Sequence, residues 1–345
     1  MHLADDSAAA MASALRRGYG VAVEALERLP VGQGTLNHRA RSAAGSLFVK
    51  QYPRGTDLDA EAAAIAQSEH ARHHGVPAAA LVPARDGAAI ATLDGIAISV
   101  WQWMPGVMAH QAAEDCAAES GAALGRIHRL FTDVVPRAGS GSRCDQWLLL
   151  SLPTLEARIE QLEGLIAERV ASGADDAFDR LALEQLAERR AQLAHAPGLL
   201  ASLPPLRRQV LHGDYSPVNL LVQGGRLSAV LDFRPPDAFF LAYELGRIAF
   251  FPERVTASGW QASARALVAA YLDAFPRAPR ADVRACGRFA LLQLLRSLYG
   301  VSEHYLRPAL LPDSLDRFWQ ARHAAVTQLL NHRAEVDDLL ATLTS

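Results

Sequence analysis

The chain has 345 residues, half of them apolar and 21% charged, with a formal net charge of −3. That is enough to bury a sizeable core in two lobes, and with no basic stripe it argues against a nucleic-acid partner. Cys116, Cys144 and Cys286 are too few and scattered for a disulfide framework or a zinc site. No run approaches the roughly 20 apolar residues of a membrane span, and Asp5 and Asp6 precede Arg16 and Arg17, the wrong order for a secretory signal. The expectation is a cytoplasmic enzyme, monomer or homodimer, without membrane or nucleic acid as partner.

In chain order, residues 1–20 read as a helix, and residues 22–103 alternate short strands with one clear helix from about Asp57 to His74. The histidines His70, His73 and His74 fall at that helix's end and are read as surface groups favoured by the helix dipole. The run from Ala97 to Gln102 is a buried strand that ends in the Pro105-Gly106 break, a hinge. Beyond the hinge the pattern is mainly helical. Residues 112–131 carry Ala118, Gly121, Ala122, Leu124, Ile127 and His128 at helical spacing, with His128 a satisfied core histidine. A looser stretch, Pro136 to Arg143, precedes two Glu/Arg-rich helices, about Leu152–Ser172 and Asp175–Ala194, whose charges are read as solvated faces with i,i+4 pairing. The apolar run Leu220-Leu221-Val222, the Gly224-Gly225 turn and the run Leu227–Leu231 make a hairpin.

The chemistry concentrates in the run HGDYSPVNLL, His212 to Leu221, followed by Asp232-Phe233 thirteen residues after Asn219. Phosphoryl transfer needs a carboxylate facing an acceptor hydroxyl and oxygen ligands for magnesium on a triphosphate. Asp214 supplies the first, and Asn219 and Asp232 the second. An independent signal comes from the basic residues: of 34, only Lys50 is lysine. A compact ammonium on a flexible stem reaches phosphate oxygens where a planar guanidinium fits badly. Lys50 ends the apolar run Leu47-Phe48-Val49, as in the third strand of a kinase N-lobe. Eleven residues on, Glu61 is the expected ion-pair partner, with Glu69 in reserve. The segment with Gly32, Gly34, Thr35 and Asn37 is the expected phosphate-covering hairpin, and Gln102 and Met104 flank the hinge where backbone groups would meet a nucleobase. Because Lys50 lies between Val49 and Gln51, there is no Walker A loop, and no motif supports a pyridoxal Schiff base.

These residues resemble the aminoglycoside phosphotransferase and homoserine kinase-like family of small-molecule kinases, over most of the chain. The resemblance rests on Lys50 with Glu61, Leu124-Gly125-Arg126-Ile127-His128, HGDYSPVN, and LDF followed by Ala242 to Arg247. It implies an α+β, bilobal protein-kinase-like fold, with a small β-rich nucleotide-binding lobe (1–103) holding one key helix, and a larger, mainly helical catalytic lobe (104–345) with an insert at about 145–200. It implies Asp214 as catalytic aspartate, Asn219 and Asp232 as Mg2+ ligands, Lys50 as the phosphate-binding lysine of ATP or GTP, and His212 and Glu244 as braces of the loop. Two departures stand out: Gly213 replaces the Arg of HRD, and Asp232-Phe233-Arg234 replaces DFG. Eleven residues between Asp232 and Glu244 leave no room for an activation loop, which argues against a polypeptide substrate.

The acceptor is therefore a small-molecule alcohol, expected in a pocket walled by the helices after Pro136 and by Leu291 to Arg307. Trp147, Asp145, Arg234, Asp237, Arg296, Tyr299 and Glu303 are candidates by position. An antibiotic of aminoglycoside or nucleoside type suits the long insert and the Ala/Arg-rich composition. A homoserine-like amino alcohol is the alternative, and a catalytically inactive binding relative the third.

Overall fold

The computed structural model describes residues 2–30, 34–112, 116–307 and 312–345. The chain divides into two compact units, Met1–Cys116 with His212–Asp237, and Ala117–Leu211 with Ala238–Ser345. The first opens with α1 (His2–Tyr19), β1 (Ala25–Leu29), β2 (Leu36–Ser42), β3 (Gly45–Tyr52), α2 (Leu58–His73), β4 (Leu81–Val82), β5 (Ala91–Leu93), β6 (Ile96–Gln102) and β7 (Val107–Met108). The second takes over with α3 (Ala117–Leu130), α4 (Gly141–Leu148), α5 (Leu152–Ala171), α6 (Ala177–Gln192), α7 (Ala196–Ala201) and β8 (Arg208–Val210). The chain then returns to the first unit for a 3-10 turn (Pro217–Asn219), β9 (Leu220–Gln223) and β10 (Arg226–Val230). It ends in the second with β11 (Ala238–Phe240), α8 (Leu241–Ala249), α9 (Pro252–Val255), α10 (Trp260–Ala274), α11 (Arg280–Arg296), α12 (Val301–Leu306), α13 (Pro312–Asn331) and α14 (Arg333–Leu343). The mixed α+β class expected from the pattern is observed. No helix among the described residues is long and apolar enough to cross a membrane.

In the first unit an antiparallel sheet runs in the order β1-β2-β3-β6-β4, with β5 also on β6. Its register sets Lys50 opposite Asn37 on one side and Ser99 on the other. Side chains alternate across a strand. Val49, with Ile98 and Val100, therefore faces a core shared with Met11, Ala14 and Leu15 of α1, while Lys50 and Tyr52 share the opposite face. Helix α2 starts where Asp57 caps it, accepting from Ala60 N–H at 3.0 Å, which puts Glu61 in the first turn. The β9–β10 hairpin turns at Gly224 and Gly225, both in the left-handed region, and β7 pairs with β9.

In the second unit α3 and α10 approach so closely that a Cβ on Gly121 would sit 2.0 Å from the Leu267 carbonyl, and one on Gly125 2.6 Å from that of Tyr271. This contact sets which face of α3 is buried: Gly121, Leu124, Ile127 and His128 of the expected stripe are buried, whereas Ala118 is exposed and Ala117 and Ser120 are buried in its place. The helix begins at Ala117, later than the expected 112, and residues 113–115 lie outside the described ones. The stretch Pro136–Arg143, expected to be loose, already contains the start of α4 at Gly141. The Glu/Arg-rich helices exist, but their charges are not merely solvated faces with i,i+4 pairing. Arg169 pairs with Asp179 at 3.0 Å and Arg190 with Glu163 at 2.5 Å, across the α5–α6 hairpin. Asp179 and Arg189 are fully buried.

Candidate active site

The first unit alone carries the cluster of charges. Lys50 Nζ, on β3, lies 3.3 Å from Glu61 Oε2 and 3.0 Å from Asp232 Oδ1, and 5.6 Å above the Tyr52 ring. Burial by itself pulls the ammonium's pKa down, but Asp232 first, then Tyr52 and Glu61, outweigh it and hold the pKa above the ordinary lysine value. Glu69, the reserve partner, is instead engaged by Arg72 at 3.1 and 3.0 Å and by the Leu81 N–H at 3.0 Å.

Asp232 follows β10 with φ +58°, a left-handed backbone that is uncommon outside glycine and stores strain that the surroundings must hold. Two bonds hold that stretch. The Leu231 N–H donates to the Asn219 carbonyl at 2.8 Å, and the Leu231 carbonyl accepts from His212 Nε2 at 2.9 Å. With Nε2 donating, the other nitrogen of buried His212 accepts the Asp214 N–H at 3.2 Å. One neutral imidazole tautomer thus satisfies both contacts. Asn219 closes the loop by donating from Nδ2 to the Asp214 carbonyl at 2.9 Å.

Arg234 is the residue whose role the motif did not foretell. Its guanidinium reaches Asp214 Oδ2 at 3.1 Å and Asp232 Oδ2 at 3.5 Å, and its N–H donates to the His212 carbonyl at 2.9 Å. Desolvation works against the charge, yet Asp232 and Asp214 prevail and keep the pKa above its usual range. Gly213 makes room: its φ is +89°, and a Cβ there would lie 2.6 Å from Arg234 Cβ. The signal was the arginine standing where DFG has glycine, together with glycine standing where HRD has arginine. The two aspartate carboxylates therefore face two cations, Lys50 and Arg234. Asp232 and Asn219 offer hard oxygen donors of the kind magnesium takes alongside water and phosphate oxygens.

Gly34 has φ +83°, and Thr35 Oγ1 donates to Asn37 Oδ1 at 3.3 Å. Gly32 lies outside the described residues. Gln102 ends β6 with its N–H bonded to the Ala80 carbonyl at 2.9 Å, and Met104 follows before Gly106. In the second unit His128 is the core histidine expected, bonded to Glu244 at 2.9 Å and to the Tyr271 hydroxyl at 3.0 Å. Of the positional candidates there, Asp145 pairs with Arg208 at 2.8 Å and Glu303 accepts the Gly300 N–H at 2.7 Å. Trp147 stacks on Phe289 with centroids 4.1 Å apart, and Arg296 lies 4.6 Å over the Trp147 ring. These contacts give each of them a packing task. Asp237, in the first unit, has its N–H on the Pro235 carbonyl at 2.6 Å.

Residues 25–289 match the model of a family described as "Phosphotransferase enzyme family". A homoserine kinase from Nitrobacter hamburgensis is 29% identical over 265 residues, 75% of this chain and 74% of that protein. Among solved structures, a spectinomycin phosphotransferase in complex with ADP and spectinomycin shares 12% identity with a TM-score of 0.60, covering 92% of this chain and 98% of that one. An amicoumacin kinase in complex with AMP-PNP, Ca2+ and its antibiotic shares 14% identity with a TM-score of 0.60, covering 94% and 96%.

Proposed function

Because the chain belongs to the phosphotransferase enzyme family and is a small-molecule kinase, we propose that it moves the γ-phosphate of ATP, or of GTP, to the hydroxyl of a homoserine-type amino alcohol. The observation that carries this reading is the convergence of Lys50, Glu61, Asp232, Asp214 and Arg234 within 3.5 Å contacts. Asp214 takes the proton of the acceptor hydroxyl while that oxygen forms its bond to the γ-phosphorus. The bond from phosphorus to the β-bridging oxygen breaks, and its electrons leave with the diphosphate. Lys50, steadied by Glu61, holds phosphate oxygens; Asn219 and Asp232 would hold Mg2+, which when bound would supply positive charge against the triphosphate. Gly32, Gly34, Thr35, Gln102 and Met104 contact the nucleotide, in a division of labour between a nucleotide-binding lobe (1–103) and a catalytic lobe (104–345). His212 braces the loop.

The homoserine-type acceptor is preferred because the curated relative with 29% identity over three quarters of both chains is a homoserine kinase, whereas the antibiotic kinases share 12–14% identity and hence the fold alone. An inactive relative is disfavoured, since Lys50, Glu61, Asp214, Asn219 and Asp232 are all retained. The test is ATP consumption with product mass measured over homoserine, amino alcohols, aminoglycosides and nucleoside antibiotics. A phosphorylated homoserine-type product is the expected result; turnover confined to an antibiotic would replace the acceptor, and ATP consumption with none would remove the reading.

A further inference from the structure

Arg234 is tied differently from two other paired arginines of the chain. Arg72 grips Glu69 through Nε and Nη2 at 3.1 and 3.0 Å, and Arg288 grips Asp337 in the same way at 3.0 and 3.1 Å, each fork taken up by one carboxylate. Arg234 instead turns the single nitrogen Nη2 to two carboxylates, Asp214 Oδ2 at 3.1 Å and Asp232 Oδ2 at 3.5 Å. Among the described residues its guanidinium has no other acceptor, and the side chain is 46% exposed, so the rest of the fork is open to a ligand. Arg234, Asp214, Asp232 and Lys50 all belong to the first unit. The loop is built around this placement. Residue 234 is fixed by its backbone, whose N–H donates to the His212 carbonyl at 2.9 Å, a bond that does not use the side chain. Gly213 supplies the space, since a Cβ there would lie 2.6 Å from Arg234 Cβ and 2.9 Å from its Cγ.

Under the kinase reading, the direction of the reaction gives that position a meaning. The acceptor oxygen bonds to phosphorus beside Asp214, and the leaving oxygen departs on the side of the metal carboxylate, Asp232. The phosphoryl group in flight therefore passes between these two carboxylates, with its charge spread over three equatorial oxygens. Both aspartates repel that charge. Lys50 is drawn to the Asp232 side at 3.0 Å, and among the described residues the cation that reaches both carboxylates is Arg234. A guanidinium keeps its charge at any working pH and offers several donors in one plane.

We propose that Arg234 is a catalytic residue whose guanidinium donates hydrogen bonds to the oxygens of the γ-phosphoryl group as that group crosses from nucleotide to acceptor. The inference rests on the kinase reading above. Arg234 gives up its longer contact, to Asp232, and keeps Nη2 on Asp214. It exchanges no proton: the hydroxyl proton goes to Asp214, and the electrons of the broken bond leave with the diphosphate. Such a donor acts in the transition state far more than in the ground state, which separates it from a charge that merely balances the aspartates. The test uses the full chain, Arg234→Met and Arg234→Lys. With Mg·ATP and L-homoserine, Arg234→Met is expected to lose about 10³-fold in kcat, with KM for ATP within about threefold of wild type. Arg234→Lys, which keeps the charge without the fork, should fall between. A loss carried by KM for ATP, or a kcat within about threefold of wild type, would overturn the assignment and leave the kinase reading standing. Melting reads the same point without turnover. Aluminium fluoride beside Mg·ADP is planar like the group in flight, so the wild type should melt higher with it than with Mg·ADP alone. That increment should vanish in Arg234→Met and shrink in Arg234→Lys, while the shift from Mg·ADP alone is unchanged. Should Arg234→Met fold poorly, the increment in Arg234→Lys decides alone. An increment of equal size in the variants, or none in the wild type, ends the proposal, and so does loss of the Mg·ADP shift in the variants, which would make Arg234 a structural counter-ion.

Discussion

Asp214 has its backbone and its carboxylate tied to different things. The backbone is pinned by His212 and Asn219, at 3.2 and 2.9 Å, while the carboxylate faces outward to Arg234. Truncating the side chain should therefore leave the loop in place, because these two bonds to His212 and Asn219 do not use the carboxylate. For Asp214→Ala the expected outcome is a fall in turnover of about 10³-fold, within the range for a lost general base, with ATP-induced thermal stabilisation largely retained. Loss of both together would mean that the aspartate is structural. Lys50 shows why residue type carried so much of the argument. In a chain that otherwise uses arginine throughout, the lone ammonium lies between two carboxylates, where three rotatable donors suit a point charge and a planar fork does not.

At the scale of elements, close approach of helices decides stability. On Gly121 of α3 an added methyl would meet the Leu267 carbonyl at 2.0 Å, an oxygen bound into α10 that cannot swing aside as a side chain can. Gly121→Ala is expected to cost about 2–3 kcal/mol despite alanine's better helix propensity, read as a lower melting temperature. Alanine equal to or better than glycine would mean that the helices separate freely. Helix α11 carries a titration of its own. Asp282 in its first turn is buried and accepts the Arg207 N–H at 3.0 Å, and burial, outweighing that bond, lifts its pKa from 3.8 to about 6. A carboxyl raised on folding binds its proton more tightly in the native state. Its contribution is complete below pH 3.8 and is lost as pH climbs through about 6. Asp282→Asn keeps the acceptor oxygen and never ionises, so at pH about 7.5 it should be more stable than wild type by on the order of 2 kcal/mol. Denaturant melts should show the two converging below pH about 4; a gap of equal size at both pH values would assign the effect to packing.

Across the whole molecule, what the sequence disclosed and what it hid depend on the range of the forces involved. The Lys50 strand, the Glu61 helix and the hairpin before Asp232 were legible because each is local: strand alternation, an N-cap at Asp57, two glycines at a turn. The ion pair of Lys50 with Asp232 joins residues 182 positions apart and was not foreseen: the expected partner of Lys50 was Glu61, and Asp232 was read as a magnesium ligand. The ion pairs that Arg234 makes with both aspartates, the burial of Ala117 and Ser120 on α3 and the interior charge of Arg189 were not legible, because they depend on packing partners remote in sequence rather than on any local period. One consequence spans the chain. Since the site gathers residues 50, 61, 214, 219, 232 and 234 from both ends of the first unit, any ligand that bridges them should stabilise the fold by linkage. At 100 times its dissociation constant, Mg·ATP should add about 2.7 kcal/mol, raising the melting temperature. Replacing Asp232 with asparagine removes one negative charge beside Lys50 and Arg234 and, under the proposal, a magnesium ligand. The shift in Asp232→Asn should then become small and no longer differ between magnesium and EDTA. If ATP stabilises the wild type equally in EDTA, the oxygen pair of Asn219 and Asp232 is not where the metal acts.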